Sequence, residues 1–459
     1  MFFASNRLWS SSPGPRYRNG IVRDRIQRGT HAVVIGCKGF FQRLVFAKEL
    51  NAELEIGNHA AAGSLAFLLS AVPSLLLSFG ITSFILQALP HANRGFQHWT
   101  RKLFTLVHLP NSAPQIFGDG LFSLGTAAAV LGMIYSSRVL FRSIRRTFRV
   151  IWGTPDTMKT SWLATLGGYA LELGALLLFV VILGLSEAGR SMAMSNRRSL
   201  DRETFALVVS SVKLIPFAVL WVFFVLTLRF FPSKKPSFLT TALYSLVAVF
   251  AYALIVQILG AVINTNQYEL LYGIVANLVV VLVKVSALFN LYFMTAVLLW
   301  VRQNFHALLF TRYFQNWSKP QLSLPDKWLF KDPTRLRGLY GRSFQATEVL
   351  FSQGDPGKTV FFIEEGSVDI LVPGSSTKKQ ETHLSNLGPG QFFGEAAAMF
   401  GEPRGATARA KTTLQVLELP ASIFRFYLDA DRLASTHMIG TLEERLKQAN
   451  SRTVDHPES

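Results

Sequence analysis

Six long apolar stretches occupy most of the first two thirds of this 459-residue chain. Each could form a helix that crosses the hydrocarbon core of a bilayer, which takes about 20 residues. The stretches lie near residues 61–87, 117–140, 161–185, 205–231, 238–263 and 272–300. Because backbone groups inside lipid must be satisfied within the protein, the pattern predicts a polytopic α-helical membrane bundle with about six spans.

A weaker apolar run precedes them at residues 32–47 and contains Lys38 and Arg43. Its two basic residues favour an amphipathic helix at the membrane interface over a seventh span. The formal net charge of +18 could indicate a nucleic-acid partner. Since the basic residues concentrate in the segments between apolar stretches, we expect a lipid bilayer as partner and no nucleic acid.

Basic residues also predict the orientation in the membrane, because short loops rich in Lys and Arg stay in the cytoplasm. They cluster before the first stretch, after the second and after the fourth, at Arg7, Arg16, Arg18, Arg23, Arg25, Arg28, Lys48, Arg138, Arg142, Arg145, Arg146, Arg149, Lys159, Arg229, Lys234 and Lys235. The connection after the third stretch mixes acidic and basic residues and fits the rule less well. We expect a multi-pass protein of a bacterial inner membrane with both termini in the cytoplasm.

Two features of the sequence bear on its processing. Cys37 is the only cysteine, which excludes an intrachain disulfide. The N-terminal segment has no compact apolar core followed by small residues, so we expect no cleaved signal peptide. Insertion into the membrane would then start from the first span itself.

Residues 393–407 combine the groups needed to hold a phosphate without a metal ion. Gly394 allows close backbone approach at the start of a short helix, whose free N–H groups attract an anion. Arg404 can donate two parallel hydrogen bonds to phosphate oxygens. Glu395 is an acceptor suited to a ribose hydroxyl, since a carboxylate beside an anion is otherwise repelled.

The region from about 344 to 446 resembles the cyclic-nucleotide-binding domains of protein kinase A regulatory subunits, catabolite activator proteins and cyclic-nucleotide-gated channels. Segments 349–357, 360–368 and 387–393 resemble the family's first strands, their glycine turn and the lead into the phosphate-binding segment. The resemblance implies that Glu395 binds the ribose and Arg404 the phosphate. It also implies a pocket formed by Phe393, Gly394, Ala396, Ala397, Gly405 and Ala406. A domain that has lost its ligand is the alternative.

Short β-branched and aromatic runs separated by Gly and Pro in this region predict an eight-stranded jelly-roll. The tail at 423–447 has the apolar spacing of an amphipathic lid helix or helix pair. The predicted fold class is therefore a multi-domain chain: an α-helical membrane bundle followed by a β jelly-roll with flanking helices.

The identity of the nucleotide depends on residues around Arg404. Gly405 stands where relatives selective for cGMP tend to have a threonine, so cAMP is favoured over cGMP. Ala396, Ala398 and Ala408 replace larger aliphatic residues usual in the family and leave extra room. A cyclic dinucleotide therefore stays open as an alternative ligand. No cofactor is expected besides this regulatory ligand.

The membrane region has a resemblance of its own. Four segments resemble parts of the YihY/BrkB family of bacterial inner-membrane proteins. Segment 62–76 resembles the family's opening span, and 141–148 resembles its basic helix after the second span. Segment 231–236 resembles its basic hinge before the fifth span, and 268–273 resembles the loop before its last span. This resemblance extends over residues 30–310. It implies a membrane protein and leaves the chemistry of the region undefined.

Charged residues within membrane spans are costly and often mark a transport pathway. Glu172, Lys213 and Lys284 fall inside the predicted spans, and Glu172 and Lys284 have comparable depth. They could form a pathway or simply a structural ion pair. Pro73 and Pro216 interrupt their spans and could form kinks that line a cavity or bends absorbed by neighbouring helices.

We expect a transporter or permeability factor controlled by cyclic nucleotide, with two alternatives. One is a non-transporting anchor or envelope scaffold. The other is a cyclic-nucleotide-gated channel, although Gly167-Gly168-Tyr169 lies in the third span and lacks the glycine that completes a potassium filter. An enzyme is not expected, because no nucleophile and base at recognisable spacing and no metal site are visible in the sequence. A homo-oligomer is compatible with each alternative.

The predicted domain boundaries follow these patterns. The predicted domains are a basic cytoplasmic segment (1–56), the membrane domain (57–303), a linker with a leading helix (304–343), the nucleotide domain (344–448) and a polar tail (449–459). The linker contains several prolines and aromatic residues, so we expect it to be ordered.

Overall fold

The computed structural model describes residues 38–70, 124–153, 202–262, 265–317, 328–331, 333–372 and 382–430. The chain divides into two compact units. One comprises Ala47–Gln303 and is helical in its described part. The other comprises Met1–Phe46 together with Asn304–Ser459 and contains the β-sheets. We call them the helical unit and the sheet unit.

Six described helices precede residue 304. They are α1 (38–53), α2 (56–70), α3 (Leu124–Trp152), α4 (Arg202–Phe230), α5 (Phe238–Val262) and α6 (Thr265–Gln303). α1 belongs to the sheet unit up to Phe46 and to the helical unit from Ala47. α4 continues through Pro216 without ending there.

α5 shows why these helices suit a membrane. Its large side chains Leu239, Val247 and Phe250 are exposed, the first by 80%, while Thr241 and Ser245 are fully buried. Small and hydroxyl-bearing residues at the packed face allow close helix approach, as in membrane bundles. In water such a distribution would expose far too much apolar surface. Lipid is the solvent that this surface matches.

Two segments of the described chain are long and apolar enough to cross a membrane, Phe238–Ala261 and Val279–Gln303. Leu214–Phe230 in α4 is a shorter apolar segment. The predicted span at 161–185 and most of the span at 61–87 lie outside the described residues. The count of six spans therefore stays a prediction.

An aromatic cluster joins α3, α4 and α6 in the helical unit. The Tyr292 ring lies 4.8 Å from that of Phe224 and 5.2 Å from that of Phe293, and the Phe148 ring lies 5.9 Å from that of Tyr292. All four side chains are buried. Edge and tilted contacts of this kind add to the free energy gained by burying large side chains.

After Asn304, the described part of the sheet unit starts with α7 (Phe305–Trp317). A short helical stretch at 328–330 and α8 (Thr334–Tyr340) follow, so the predicted linker contains more than one helix. The described part then has eight strands, in agreement with the predicted jelly-roll. They are β1 (Gly341–Phe344), β2 (Val349–Phe351), β3 (Thr359–Glu365), β4 (Val368–Val372), β5 (Thr382–Leu387), β6 (Phe392–Phe393), β7 (Thr407–Ala410) and β8 (Leu414–Pro420). α9 (Glu395–Phe400) follows β6, and α10 (Ala421–Ala430) follows β8.

The strands form two antiparallel four-stranded sheets with orders β1-β8-β3-β6 and β2-β7-β4-β5. Side chains from both sheets fill one core, which includes Phe361, Val368, Phe393, Ala408 and Val416. Alternation places Ala408 and Ala410 of β7 inward, as a half-buried strand requires. Of the predicted lid segment at 423–447, the described residues include α10 alone.

Helices cover the outer face of the first sheet. Phe314 of α7 packs against Phe362 of β3, Phe392 of β6 and Tyr427 of α10, with ring centroids 5.5, 5.2 and 4.9 Å away. α1 adds a further layer through Phe46, whose ring lies 5.1 Å from that of Phe330. The run predicted as an interfacial helix therefore has one face packed within the sheet unit.

Candidate functional site

The backbone of Arg404 is held by the loop between β2 and β3. Its N–H donates to the carbonyl of Asp355 and its carbonyl accepts from the N–H of Gly354, both at 2.8 Å. Pro356 and Pro403 form an isolated bridge beside them. These contacts fix the point from which the Arg404 side chain enters the interior.

The Arg404 side chain is only 4% exposed. Its Nη1 donates to the carbonyl of Gly394 at 2.6 Å, and its Nη2 donates to the carbonyl and Oγ1 of Thr359 at 2.9 and 3.2 Å. The guanidinium carbon lies 4.3 Å from the centroid of the Phe351 ring and 5.6 Å from that of Phe361. Four neighbours therefore fix the plane of the guanidinium.

One donor of this guanidinium is left over. Nε of Arg404 is buried and has no hydrogen-bond partner among the described residues. A buried N–H without an acceptor costs free energy, and the cost is larger for a charged group. An anionic ligand that accepts from Nε would remove the cost, since charge-assisted hydrogen bonds are the strong ones.

Burial lowers the pKa of Arg404, while the carboxylates of Glu418, Asp355 and Glu395 act to raise it. An arginine nevertheless stays protonated in proteins at neutral pH. The site therefore presents a fixed positive charge in a poorly solvated position. Such a charge favours binding of a single phosphate over binding of a neutral ligand.

Two glycines keep the space around the guanidinium clear. A Cβ added at Gly357 would collide with Ala397 and lie 3.0 Å from Nε of Arg404. A Cβ at Gly394 would lie 2.5 Å from Nη1. Gly394 also has a φ of 73°, a left-handed conformation that glycine adopts without strain. Both positions require the smallest residue for the Arg404 side chain to enter.

Gly394 precedes α9, and Gly401 ends it with a φ of 76° and an N–H that donates to Ala397. Glu395 and Ala397 are buried in this helix, whereas Ala396 is exposed. The carboxylate of Glu395 is close enough to act electrostatically on Arg404. The structure therefore brings the predicted ribose and phosphate residues to one place.

The other predicted pocket residues differ in position. Phe393 is buried in β6 and stacks on Phe361 with ring centroids 5.0 Å apart, behind the guanidinium. Gly405 is exposed and Ala406 is half-buried. Phe393 therefore supports the site from the core, and Gly405 and Ala406 lie toward its edge.

Sequence reasoning missed Thr359, Phe351 and the role of Gly357. Thr359 lies 45 residues from Arg404 along the chain. The turn at 354–357 does carry a signal, because its two glycines and one proline before an apolar run indicate close backbone approach. Thr359 has no such signal, because threonine is common in strands.

A second buried charged group lies at the other end of β3. The carboxylate of Glu364 accepts from the hydroxyl of Tyr313 at 2.7 Å and from Nε of Arg337 at 2.9 Å. The Glu364 side chain is 1% exposed and that of Arg337 45%. Burial and the hydrogen bond to Glu364 raise the pKa of Tyr313. Burial acts to lower the pKa of Arg337, but Glu364 outweighs it and raises that pKa.

The residues predicted inside the membrane are only partly described. Glu172 lies outside the described residues, so its predicted pairing with Lys284 stays a prediction. Lys213 is in α4, and Lys284 is half-buried in α6. Within the part of the chain that the structure describes, no group of His, Cys, Asp and Glu side chains is arranged to hold a metal ion.

Comparison with protein-family models gives two matches. Residues 341–431 match the cyclic nucleotide-binding domain, and residues 52–312, more than half of the chain, match the family described as virulence factor BrkB. The combination predicted from the sequence, a membrane region of this family fused to a nucleotide domain, is confirmed.

Curated relatives match over a much shorter length. A cyclic nucleotide-gated potassium channel of Mesorhizobium japonicum is 40% identical over 90 residues, which are 20% of this chain and 23% of the channel. A channel of the same description from Rhizobium etli is 35% identical over 111 residues, 24% of this chain and 29% of that one. The chain thus spans less than a third of the length of these relatives.

Solved structures are also similar over part of the chain. The EAL enzyme Bd1971 in its cAMP-bound form is 25% identical, and the match covers 25% of this chain and 30% of that one with a TM-score of 0.20.

Proposed function

Because this chain belongs to the virulence factor BrkB family and carries a cyclic nucleotide-binding domain, we propose that it is a transporter or permeability factor regulated by a cyclic nucleotide. It resides in a bacterial inner membrane, with the nucleotide domain in the cytoplasm where the ligand is made available. It has no catalytic role of its own.

The buried guanidinium of Arg404 carries the proposal. Its plane is fixed by Gly394, Thr359 and Phe351, and its Nε–H lacks an acceptor among the described residues. A cyclic phosphodiester carries one negative charge and two exocyclic oxygens, so it matches a single fixed cation. Glu395 lies beside Arg404 and accepts from a ribose hydroxyl.

cAMP is the favoured ligand. The exposed residue after Arg404 is Gly405, which offers no side-chain hydroxyl to a guanine. Binding of a base through apolar contacts alone favours adenine modestly, since the exocyclic groups of guanine would lose hydrogen bonds to water.

Ligand binding would reach the helices of the sheet unit through β3. Thr359 at the start of β3 bonds Arg404, and Glu364 near its end bonds Tyr313 of α7 and Arg337 of α8. α7 begins at Phe305, two residues after α6 ends at Gln303. A ligand shifts the equilibrium between two conformations only by its difference in affinity for them. Changing their ratio from 1:99 to 99:1 requires about 10⁴-fold tighter binding to the favoured conformation.

The binding test uses the full chain in lipid nanodiscs, titrated calorimetrically with cAMP and with cGMP. We expect binding of cAMP that is stronger than binding of cGMP and that Arg404→Ala abolishes. Arg342→Ala is the matched control, because Arg342 is an exposed arginine of the same unit, paired with Glu418. Absence of binding to both nucleotides in the wild-type chain would refute the proposal.

Coupling to the membrane requires a second assay. The chain is reconstituted in liposomes, and solute and ion efflux are compared with and without saturating cAMP. A cAMP-dependent flux absent from Arg404→Ala supports regulated permeability. Binding without any flux change would instead support a non-transporting scaffold that senses the nucleotide.

A gated channel is the second candidate, since both curated relatives named above are described as cyclic nucleotide-gated potassium channels. Their aligned length is about that of the nucleotide domain, so the similarity favours a shared sensor more than a shared pore. A potassium-selective flux in the liposome assay would favour the channel.

A further inference from the structure

Exposed basic side chains gather at one end of the helical unit. On α3, Arg142 is exposed, while its neighbours Phe141, Ile144 and Phe148 are buried against other helices. α3 is a single helix from Leu124 to Trp152, so this basic part directly extends an apolar part of the same helix. Its position along α3 is therefore fixed relative to the predicted span at 117–140.

The loop between α4 and α5 lies next to this part of α3. The ring of Phe231 is 5.6 Å from that of Phe141 and 5.3 Å from that of Phe148. The exposed side chains of Lys234 and Lys235 follow within four residues of Phe231. The ring contacts of Phe231 thus place the loop that carries Lys234 and Lys235 against the part of α3 that carries Arg142.

Arg229 and Arg302 join them. Arg229 donates to the carbonyl of Pro236 at 2.9 Å, which ties the end of α4 to the start of α5. Gln303 donates to the carbonyl of Lys234 at 3.2 Å, which brings the end of α6 to the same loop. We define the basic cluster as five of the exposed cations of these segments: Arg142, Arg229, Lys234, Lys235 and Arg302.

Carboxylates are missing from the segments that form the cluster. Residues 124–153, 204–262 and 270–303 contain no Asp or Glu. Arg146 is left out of the cluster because it lies within electrostatic range of His59, which also feels Glu55. The cluster therefore has an excess of positive charge that its own segments do not neutralise.

An apolar surface begins where the cluster ends. Phe238, at the start of α5, is exposed by 60%, and the exposed side chains Leu239, Leu243 and Leu246 continue along the helix. The guanidinium carbon of Arg229 lies 6.0 Å from the Phe238 ring centroid, at the border between the two surfaces. Cations directly above exposed apolar side chains match a lipid, whose headgroup lies directly above its acyl chains.

We infer that the basic cluster binds the phosphate headgroups of anionic phospholipids, and that these lipids bridge α3 and the loop between α4 and α5. The cations supply charge-assisted hydrogen bonds to the phosphate oxygens, and α5 packs against the acyl chains. This inference does not depend on cyclic nucleotide binding, because every residue that it uses belongs to the helical unit.

The test places the full chain in nanodiscs of phosphatidylcholine with about 30 mol% phosphatidylglycerol. Lipid that stays bound is identified by native mass spectrometry. We expect phosphatidylglycerol to be enriched over its share in the disc by at least about threefold, and the enrichment to fall in about 0.5 M salt, which screens exposed charges. Thermal unfolding should also occur at a higher temperature than in discs of phosphatidylcholine alone.

Four variants make the test specific. Lys234→Gln combined with Lys235→Gln should abolish the enrichment, and Arg142→Gln should reduce it. Lys331→Gln combined with Lys358→Gln removes the same charge from exposed lysines of the sheet unit and should leave it unchanged. Lys234→Arg with Lys235→Arg should retain it, which separates loss of charge from loss of folding.

Two outcomes would overturn the inference. One is enrichment that survives in the Lys234→Gln, Lys235→Gln variant. The other is a thermal stabilisation that inorganic phosphate reproduces in full in discs of phosphatidylcholine alone, because a free anion and not a lipid would then be the ligand.

Discussion

Each end of β3 holds a buried charged group, and the two groups differ in whether all their polar atoms have hydrogen-bond partners. At one end, the Glu364 carboxylate has each oxygen bonded, to Tyr313 and to Arg337. At the other, Thr359 and Gly394 accept from Arg404, but Nε of Arg404 has no partner among the described residues. Removing one partner of a fully bonded buried charge destabilises the fold, whereas a buried charge with a free donor can bond a ligand.

The largest expected effect is a loss of stability on substitution of Glu364. Glu364→Ala leaves the Tyr313 hydroxyl buried without an acceptor, and we expect it to lower the free energy of unfolding of the sheet unit by about 3 kcal/mol. Ligand affinity should change little. Chemical denaturation followed by nucleotide titration measures both.

Glu365→Ala is the matched control for this variant, because Glu365 is the exposed neighbour on the same strand. A loss of stability equal in both variants would remove the distinction between the buried and the exposed carboxylate.

The second largest expected effect is a loss of ligand affinity on substitution of Arg404. Arg404→Lys keeps the charge but loses the planar fork, so it cannot bond Gly394, Thr359 and a phosphate together. We expect affinity for cAMP to fall about 30-fold, or about 2 kcal/mol, with little loss of stability. Calorimetric titration of the full chain measures it, with Arg342→Lys as control. Equal affinity in Arg404→Lys would show that charge alone suffices.

A smaller effect is expected from the space around the guanidinium. Gly357→Ala places a methyl group against Ala397 and near Nε of Arg404, so it should weaken cAMP binding about tenfold. Gly388→Ala is the control, since a Cβ there would meet nothing within 4 Å. If both variants bound like the wild type, Nε of Arg404 would not be the donor that meets the ligand.

The smallest expected effect is on the pH dependence of stability, through His306. Burial, together with the positive charges of Arg335 and Arg43, lowers the pKa of His306 below its ordinary 6.5. The folded state therefore favours the neutral ring, and its contribution to stability is retained at neutral pH and lost as pH falls below about 6.5. Unfolding of wild type and His306→Gln, compared between pH 7.5 and about 5.5, should show a smaller pH dependence in the variant.

The sequence predicted the parts of the protein that depend on neighbouring residues. Arg404, Glu395 and Gly394 lie within 11 residues of one another, and their pattern was enough to predict a phosphate site. The apolar stretch at 238–263 corresponds closely to α5. The run at 32–47 had no such local signal for its partner, because Phe46 near its end packs on Phe330, far away along the chain.

The charged residues of β3 show the limit of the sequence most clearly. Glu364 and Glu365 are adjacent and chemically identical, yet the first is buried and the second exposed. Only the packing of α7 and α8 on β3 decides which carboxylate receives partners.

The sequence by itself determined the membrane region, the nucleotide domain and the residues of the phosphate-binding segment, because hydropathy and short motifs are local properties. The tertiary structure decided which polar atoms are bonded, as at Thr359 and Arg404, and which segments pack together, as Phe231 does against Phe141 and Phe148. Burial and hydrogen-bond partners arise from residues brought together by folding, so a position's own sequence neighbours do not contain them.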